Sequence, residues 1–543
     1  MTAPDDLIRA ELARSAESLG AVPPVTVILE RPRDPAFGDW ATNLAMTLAK
    51  TLRRKPADIA QDLVKQLDLA RAGVREAYVA GAGFINFRLS DAAAASGLPA
   101  ILAAGADYGR ANTGCGEPVN VEFVSANPTG PLHVGHGRQA ALGDAIATLL
   151  ESVGWTVSRE FYYNDGGAQI SNLALSVQAR IRDGAIPEGG YHGEYIRDIA
   201  QSYVAEHPGD AHGDDLDAVR RHTVAALRRE QDLDMQAFGV KFDTYFLESS
   251  LYTDGHVNET VRMLVSAGHT FEEDGALWLR TTDYGDDKDR VMRKSDGSFT
   301  YFVPDVAYHV TKWRRGFHRA INVQGADHHG TVTRVRAGLQ ALGMDIPDGY
   351  PEYELHQMVT VMRAGEEVKI SKRAGSYVTV RDLIDEVGRD AVRYFFLMRK
   401  ADSQLVFDVD LARKQSEENP VYYIQMAHAR MCGIFRVGEI DTASLMGRNP
   451  DLALLKEDEE RELIKALLDF PKTVAGAAEA LEPHRIASYL LETARLAHLW
   501  YHKHHVLGVE EALRDARLVL AAAARVVLAN GLTILGITAP ERM

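Results

Sequence analysis

The chain has 543 residues, of which 46% are hydrophobic and 25% charged, with a formal net charge of −16. This length is too great for one hydrophobic core, so we expect three or four domains. The acidic balance argues against a non-specific nucleic-acid binder, which normally has a basic surface. It does not exclude a binder with local basic patches, because salt screens charges within about 8–10 Å.

The cysteines, the N-terminus and the apolar runs predict a cytoplasmic protein. Cys115 and Cys432 are far apart in sequence, which excludes a disulfide framework and a cysteine-based zinc site. The first residues, MTAPDDLIRAELARS, carry two acids before the first arginine and no apolar segment, so we expect no secretory signal. No apolar run reaches about 18 residues, so we expect no membrane span.

Residues 1–110 are predicted to form an α+β domain. The stretch 41–67 carries apolar residues at helical spacing, and 74–90 is typical of two strands separated by Gly-Ala-Gly. The small polar sequence GRANTGCGEP that follows indicates a linker.

A strand, a glycine-rich turn, a helix and a second strand follow from Val119. Residues 119–124 alternate in polarity, 142–153 have helical spacing with Gly154 as a stop, and WTVSREF alternates again. This order predicts a βαβ unit, which builds parallel sheets that bind ligands at the carboxyl ends of their strands.

The rest of the chain predicts an interrupted α/β domain and a helical tail. Residues 165–290 are mostly helical and charged, and sheet-like segments return at 320–330 and 353–371. We therefore expect an α/β domain at 111–380 with an insertion at about 165–290. Residues 381–543 are almost continuously helical, and Thr379 to Asp382 resemble a capping box.

Two histidines, His133 and His136, stand three residues apart in the turn of the βαβ unit. A metal site would need a third ligand at typical spacing, and none is close by in the sequence. A turn with incidental histidines is a second interpretation. The third is phosphate binding, since Gly135 and Gly137 permit close backbone approach and the helix N-terminus offers oriented N–H groups.

A basic motif, VKISKRAG, follows the last sheet-like segment and contains Lys369 and Lys372. It is either a solvated basic turn or a loop whose lysines close over a polyphosphate as point charges.

Together, HVGH and KISKR resemble the HIGH and KMSKS signatures of class I aminoacyl-tRNA synthetases. The surrounding sequence resembles the arginyl-tRNA synthetase family more closely, in stretches that span the chain in order: FGDWATNLA, VEFVSANPTGPLHVGHGR, YYNDGGAQI, FTYFVPDVAYH, GADHHG and GLTILGITAPERM.

The resemblance implies an α/β fold: a Rossmann-like parallel-sheet catalytic domain with a helical insertion, an α+β N-terminal domain and an all-α anticodon-binding domain. It implies an arginine–tRNA ligase that uses ATP with Mg²⁺ and has no tightly bound cofactor. We weigh three alternatives: a class I synthetase of another specificity, a small nucleotidyltransferase with the same histidine motif, and a non-catalytic tRNA-binding paralogue.

The resemblance also implies roles for individual residues. The catalytic residues would be His133, His136, Lys369 and Lys372. ATP would contact these histidines and Lys372, with Gly135, Gly325, His328 and His329. Arginine would be bound by Glu122, Ser125, Asn127, His136, Gln169, Tyr301, Asp305 and Asp327.

The chemistry of arginine independently indicates two of these residues, because a guanidinium group needs carboxylates that accept hydrogen bonds from its paired donors. Glu122 and Asp305 are the candidates, and the alternative for each is a satisfied structural carboxylate. Asp327, His328 and His329 could form a metal cluster, but no metal site is predicted.

The tRNA contacts implied by the resemblance lie in the two terminal domains. Phe37 and Asn43 would touch the tRNA elbow, and Trp500, Tyr501 and His505 the anticodon, with core aromatics as the alternative reading. His502 and His505 depart from the family pattern in this stretch. We expect a monomer that binds arginine, ATP and its cognate tRNA and no membrane.

Overall fold

The computed structural model of the chain describes residues 4–32, 34–368 and 377–543. Two predicted catalytic residues, Lys369 and Lys372, lie outside these ranges.

The N-terminal region is a small α+β unit with its own core. Its elements are α1 (Pro4–Ser18), β1 (Trp40–Thr42), α2 (Leu44–Leu52), α3 (Pro56–Gln66), β2 (Val74–Ala80) and β3 (Phe84–Leu89). The strands form an antiparallel sheet in the order β1-β3-β2. Buried residues of the helices, such as Leu12 and Leu63, pack against Ile85 and Phe87 of the sheet. The predicted helices and strands of this region are therefore confirmed.

Two short helices lead from this unit into the central part of the chain, α4 (Asp91–Ala95) and α5 (Leu98–Ala104). The elements of the central part, in chain order, are β4 (Pro118–Glu122), α6 (Val134–Ser152), β5 (Thr156–Tyr163), α7 (Gly167–Ile181), α8 (Glu194–Glu206), α9 (Leu216–Ala237), β6 (Thr244–Leu247), α10 (Glu248–Thr253), α11 (His256–Ser266), β7 (Thr270–Glu273), β8 (Ala276–Leu279), β9 (Arg290–Arg293), α12 (Phe302–Arg314), β10 (Arg319–Gly325), α13 (His329–Gln340), β11 (Glu352–His356), β12 (Val359–Arg363) and β13 (Glu366–Glu367).

A five-stranded parallel sheet organises this part, in the order β11-β10-β4-β5-β6. Strands β5 and β6 are added on one side of β4, and the later strands β10 and β11 are added on its other side. The order reverses between β4 and β10, and such a switch point opens a crevice at the carboxyl ends of the strands. The predicted βαβ unit is confirmed, and it provides one side of this crevice.

The range 165–290 contains helices, as predicted, but also one strand of the central sheet. Helices α7, α8 and α9 form a separate small core with residues such as Leu173, Ile196 and Leu227. Strand β6 then pairs with β5 in parallel and forms the edge of the sheet. Its four residues are too short a stretch to show alternation, so sequence patterning missed it.

The remaining helices and strands after residue 377 are α14 (Val380–Val387), α15 (Arg389–Leu397), β14 (Leu405–Asp408), α16 (Val409–Arg413), α17 (Pro420–Gly438), α18 (Asp458–Leu468), α19 (Phe470–Ala480), α20 (His484–Lys503) and α21 (Glu511–Ile534). The predicted capping box is present at the start of α14, where Thr379 and Asp382 bond each other's backbone N–H groups. Strand β14, which was not predicted, pairs with β12.

Helix α21 is long and apolar enough to cross a membrane by length and composition alone. Most of it is buried among the other C-terminal helices, with Leu520, Val527 and Leu532 fully covered. Burial inside the helical core accounts for its apolar sequence.

Helix α6 packs very closely on the strand end that precedes it. A Cβ atom at Gly143 would lie 2.1 Å from Cγ of Phe123, whose side chain is completely buried. The glycine therefore sets the distance between this helix and the sheet, and with it the position of the helix N-terminus.

Replacement of Gly143 by alanine should destabilise the protein by about 1–3 kcal/mol, because the buried ring cannot move aside. Gly476→Ala is the matched control in another helix, where the added Cβ would meet only Arg485 Nη1 at 4.0 Å. Helix propensity should make this control neutral or more stable by up to about 1 kcal/mol. Thermal unfolding of both variants tests this, and equal melting temperatures would contradict the close packing.

Candidate functional site

Six predicted site residues of the central part line a cleft at the switch point of the parallel sheet, whereas seven do not: Glu122, Gly135, Tyr301, Asp305, Gly325, Asp327 and His329. The volume of this cleft is about 690 Å³. Its lining comprises Ser125, Ala126, Asn127, Thr129, Gly130, Pro131, His133, His136, Gln169, Gly190, Tyr191, His192, Gly193, Tyr195, His328 and Tyr377. These residues come from the end of β4, the start of α6, the helical segment α7–α8, the loop after β10 and the residues just before α14.

His133 is the N-cap of α6. Its Nδ1 atom accepts hydrogen bonds from the backbone N–H groups of Gly135 at 3.0 Å and of His136 at 3.3 Å. A Cβ atom at Gly135 would lie 2.8 Å from the imidazole Cε1, so a glycine is needed for this close approach. Because Nδ1 is the acceptor, the neutral ring carries its proton on Nε2 and can donate it to a ligand.

The two histidines form a stacked, uncharged pair at the N-terminus of the helix. Their ring centroids are 3.6 Å apart. Burial lowers the pKa of His133, and burial together with His133 and His356 holds the pKa of His136 well below its usual range. His136 Nδ1 is buried and has no hydrogen-bond partner among the described residues. This geometry favours phosphate binding, with ring donors added to the backbone N–H groups and the positive end of the helix dipole.

The segment that follows the predicted lysine loop is joined directly to the histidine turn. Val134 N donates to Val378 O at 3.1 Å, and Val380 N donates to Leu132 O at 2.9 Å. The Tyr377 hydroxyl also donates to Pro131 O at 2.8 Å. These bonds fix residues 377–380, which follow the lysine motif in the sequence, beside the histidine turn.

Glu122 is paired within the protein. One carboxylate oxygen lies 2.5 Å from Nζ of Lys312, which is fully buried, and the other accepts from Ser125 Oγ at 2.9 Å. Lys312 also donates to Asn322 Oδ1 at 3.0 Å. In this conformation Glu122 is a satisfied structural carboxylate that orients Ser125, so the prediction that it binds the guanidinium directly is not supported by its contacts.

Two other carboxyl groups lack such a cation. Burial, and then the nearby Glu248, raises the pKa of Asp305 to about 7, although Arg334 offsets part of this effect. Burial also raises the pKa of Glu248, which accepts from the Tyr162 hydroxyl at 2.8 Å. Neither carboxyl has an ion-pair partner within 4.0 Å among residues 4–32, 34–368 and 377–543. Two neighbouring half-buried acids, neither of them with an ion-pair partner within that distance, favour a cationic ligand.

Glu248 was not predicted. It begins α10 directly after β6, so it lies at the carboxyl end of a strand of the central sheet. A position at the end of a sheet strand is the signal that would have pointed to Glu248. This signal was not available, because the strand itself was not predicted from the sequence.

The residues after β4 are held in a fixed arrangement. Val124 and Ser125 adopt positive φ angles of 69° and 41°, which are uncommon for residues other than glycine. Ser125 Oγ accepts from Tyr162 N at 3.2 Å, and Asn127 Nδ2 donates to Gln169 Oε1 at 2.8 Å. Ser125, Asn127 and Gln169 therefore stand together in the cleft, as the sequence interpretation required.

The other predicted ligand contacts are accessible. Tyr301 is 72% exposed at the start of α12, one helical turn before Asp305. Gly325 ends β10, and Asp327, His328 and His329 are exposed directly after it. Within the described residues, no group of three or more His, Cys, Asp or Glu side chains is placed to hold a metal ion.

The predicted tRNA contacts are exposed with one exception. Phe37 is 51% exposed, and Asn43 is an exposed N-cap whose side chain makes no capping bond. Tyr501 and His505 line a second cleft of about 610 Å³. Trp500 has no exposed surface and belongs to the helical core, so in this structure it cannot stack on a base. The core-aromatic alternative applies to it.

Three family models match successive parts of the chain. They are the arginyl tRNA synthetase N-terminal domain at residues 6–89, the class I (R) tRNA synthetase catalytic domain at 97–430, and the DALR anticodon binding domain at 424–543. The fold is thus that of a class I tRNA synthetase.

Individual relatives define the branch of this class. The arginine–tRNA ligase of Geobacter metallireducens is 56% identical over 561 residues, covering 99% of this chain and all of the relative. That of Bordetella petrii is 58% identical over 539 residues, covering 95% of each. The solved arginyl-tRNA synthetase of Thermus thermophilus superposes with a TM-score of 0.74 and 26% identity, covering 99% of this chain and 100% of that chain. The chain belongs to the arginyl-tRNA synthetase family.

Binding of L-arginine should weaken as the pH falls below about 7. The pKa of Asp305 is raised to about 7 in the free protein, and a bound guanidinium favours the ionised carboxyl. Binding therefore releases a proton below this pH, and the Kd should rise roughly tenfold per pH unit. Titration calorimetry between pH 5.5 and 8.5 measures this. Asp305→Asn should bind weakly and with a flatter profile, and an unchanged profile in that variant would exclude Asp305 as the titrating group.

Proposed function

We propose that the protein is an arginine–tRNA ligase. It activates L-arginine with ATP to give arginyl-adenylate and pyrophosphate, and then transfers arginine to the terminal adenosine of its tRNA. The observation that carries this proposal is the pair Asp305 and Glu248, two half-buried acids with no ion-pair partner within 4.0 Å among the described residues. Full-length similarity to arginine–tRNA ligases supports the same conclusion.

Activation needs alignment and charge stabilisation but no protein nucleophile. A carboxylate oxygen of arginine attacks the α-phosphorus of ATP, the new P–O bond forms, and the bond to pyrophosphate breaks. His133 donates through Nε2–H, and the N-terminus of α6 and His136 face the phosphates whose charge grows. Gly135, Gly325, His328 and His329 would surround the nucleotide. Lys369 and Lys372 would clamp the departing pyrophosphate, and ATP enters as its magnesium complex.

The amino-acid pocket would recognise both ends of arginine. Asp305 and Glu248 accept hydrogen bonds from the guanidinium, and the exposed Tyr301 ring packs on the side chain. The α-amino and carboxylate groups would contact Ser125, Asn127, Gln169, Asp327 and His136. Glu122 acts indirectly, because its bond to Ser125 Oγ fixes that side chain.

Recognition of tRNA is assigned to the terminal regions. We keep the predicted division into an N-terminal domain at 1–110, a catalytic domain at 111–380 and an anticodon-binding domain at 381–543. Phe37 and Asn43 would contact the tRNA elbow, and Tyr501 and His505 the anticodon. The protein would act as a monomer in the cytoplasm.

The alternatives make distinct predictions about the site. A class I synthetase of another specificity would not need two uncompensated acids in its amino-acid pocket. A non-catalytic tRNA-binding paralogue would have no need for the histidine pair at the helix N-terminus. Both features are present here, and they favour catalysis with arginine.

Aminoacylation of total tRNA with each of the twenty amino acids tests the proposal. Charging with arginine alone is expected, because only arginine brings a guanidinium to Asp305 and Glu248. Charging with a different amino acid, or no charging by a folded protein, would overturn the proposed function.

His133 has a capping and a catalytic role that two substitutions should separate. His133→Asn keeps an acceptor for the N-terminal N–H groups of α6, so its stability should be near that of the wild type. It lacks the Nε2–H donor, and its adenylation rate should fall by about 10²–10³. His133→Ala should lose this rate and also about 0.5–2 kcal/mol of stability. Pyrophosphate exchange with tRNA present and thermal unfolding measure the two effects; full activity in His133→Asn would refute the donor role.

A further inference from the structure

Two neighbouring strands of the sheet end at contacts for different substrates. Strand β4 leads into Ser125 and Asn127, which the proposed function assigns to arginine. Strand β10 ends at Gly325, and the turn after it contains His328; both are assigned to the nucleotide. The two strands pair side by side in parallel, so these contacts meet at one edge of the sheet. The separation of the two strand ends therefore affects how closely the two substrates approach each other.

One side chain, that of Gln139 in the second turn of α6, joins the two strand ends. It is buried, with 8% of its surface exposed. Its Nε2 donates to Val124 O at 3.1 Å, and its Oε1 accepts from Gly325 N at 3.2 Å. The opposite amide orientation would turn Oε1 toward the carbonyl oxygen and Nε2 toward the N–H group, and would leave only a 3.4 Å bond to Val323 O. The bridging orientation satisfies both amide atoms.

The bond to Val124 holds a strained part of the backbone. Val124 has a φ of 69°, which is an outlier for a β-branched residue. Ser125 N donates to Phe123 O at 3.0 Å and closes a three-residue turn around Val124. Such a conformation persists only where its surroundings hold it in place. Gln139 holds it through the Val124 carbonyl, at the residue directly before Ser125.

The preceding residue of α6 holds a third strand end. Arg138 is completely buried, and it donates to Gln357 O at 2.7 Å and to Lys400 O at 3.0 Å. Gln357 directly follows β11, the strand next to β10. Consecutive side chains of α6 therefore bond to the backbone at the ends of β4, β10 and β11. The helix that begins at the histidine pair thus fixes the edge of the sheet where the site lies.

We propose that Gln139 is a positioning residue that sets the separation of the arginine and nucleotide contacts for adenylate formation. This inference rests on the proposed function. In that reaction the arginine carboxylate must approach the α-phosphorus to about 3–3.5 Å, and a misplacement of about 1 Å can slow a reaction about a hundredfold. Gln139 does not line the cleft, so it acts through Val124 O and Gly325 N and touches neither substrate.

Gln139→Met tests the proposal, because it keeps nearly the same volume and removes both hydrogen bonds. The Kd values of arginine, AMP and a sulfamoyl analogue of arginyl-adenylate are measured on the wild type and the variant. Arginine and AMP should each bind within about twofold of the wild type, since each needs mainly its own contacts. The analogue should bind at least about tenfold more weakly, because one molecule must fit both strand ends at once.

The same split is expected in catalysis. In pyrophosphate exchange with tRNA present, kcat should fall by about tenfold to a hundredfold, while the KM values of arginine and ATP change little. A loss of general stability alone would not produce this split. Gln139→Asn keeps an amide but is one methylene shorter, so it can hold only one strand end. It should show the same split, and it replaces Gln139→Met in the test if that variant does not fold.

Gln340→Met is the matched control. Gln340, the last residue of α13, donates to Ile346 O at 3.0 Å and lies outside the cleft. This variant loses a comparable hydrogen bond to a backbone carbonyl. Its three Kd values and its kcat should be those of the wild type, because the bond is not at a strand end of the site.

Three outcomes would overturn the inference: wild-type affinity of the Gln139 variants for the analogue, an analogue loss no larger than the product of the arginine and AMP losses, or the same selective loss in Gln340→Met. A loss equal to the product would show independent damage to the two sets of contacts. Wild-type protein that charges arginine, with the Gln139 variants indistinguishable from it, would overturn this inference alone. Wild-type protein that charges no arginine would overturn the proposed function with it.

Discussion

Two acidic side chains, Asp305 and Glu248, lie half-buried near each other without an ion-pair partner within 4.0 Å among the described residues. Such an arrangement is unfavourable in the free protein, since burial raises the pKa of both carboxyls, the charge of Glu248 raises that of Asp305 further, and the charge of Asp165 raises that of Glu248. A bound guanidinium would reverse both effects, because it supplies the missing charge and paired donors in one group. Glu122 shows the contrast, because Lys312 already neutralises its charge and its second carboxylate oxygen accepts a hydrogen bond that fixes Ser125. In the proposed function, selectivity for arginine depends on which acids the protein leaves without an ion-pair partner.

The phosphate side of the site follows a different electrostatic rule. His133 and His136 are held neutral by burial, and the positive end of α6 provides the fixed charge distribution. A neutral imidazole can accept hydrogen bonds from the N–H groups that begin the helix and still donate a hydrogen bond from its other nitrogen. The close packing of Gly143 on Phe123 and the strand order of the sheet place this helix end at the switch point, next to the carboxyl ends of β4 and β10.

Much of this site could be predicted from the sequence because its parts are local. The alternating strand before Ser125, the glycines around His136 and the capping box at Thr379 each have short-range patterns, and the structure contains them. Lys312 lies in the last turn of α12. A lysine at this position is normally expected to be solvated and to interact with the helix dipole. Its burial against Glu122 depends on tertiary packing. Glu248 follows a four-residue strand without alternation. Trp500 lies on the buried face of a helix that also carries exposed basic residues. No local pattern reveals these three.

The central claim is that the pocket selects a cation through two unpaired acids. Competition between L-arginine and L-citrulline for the wild-type enzyme, with ATP and tRNA present, tests it directly, because citrulline has nearly the same shape but an uncharged end group. A guanidinium-selective pocket should prefer arginine by at least about a hundredfold. Citrulline binding within about tenfold of arginine would contradict the claim, since shape and not charge would then govern selection.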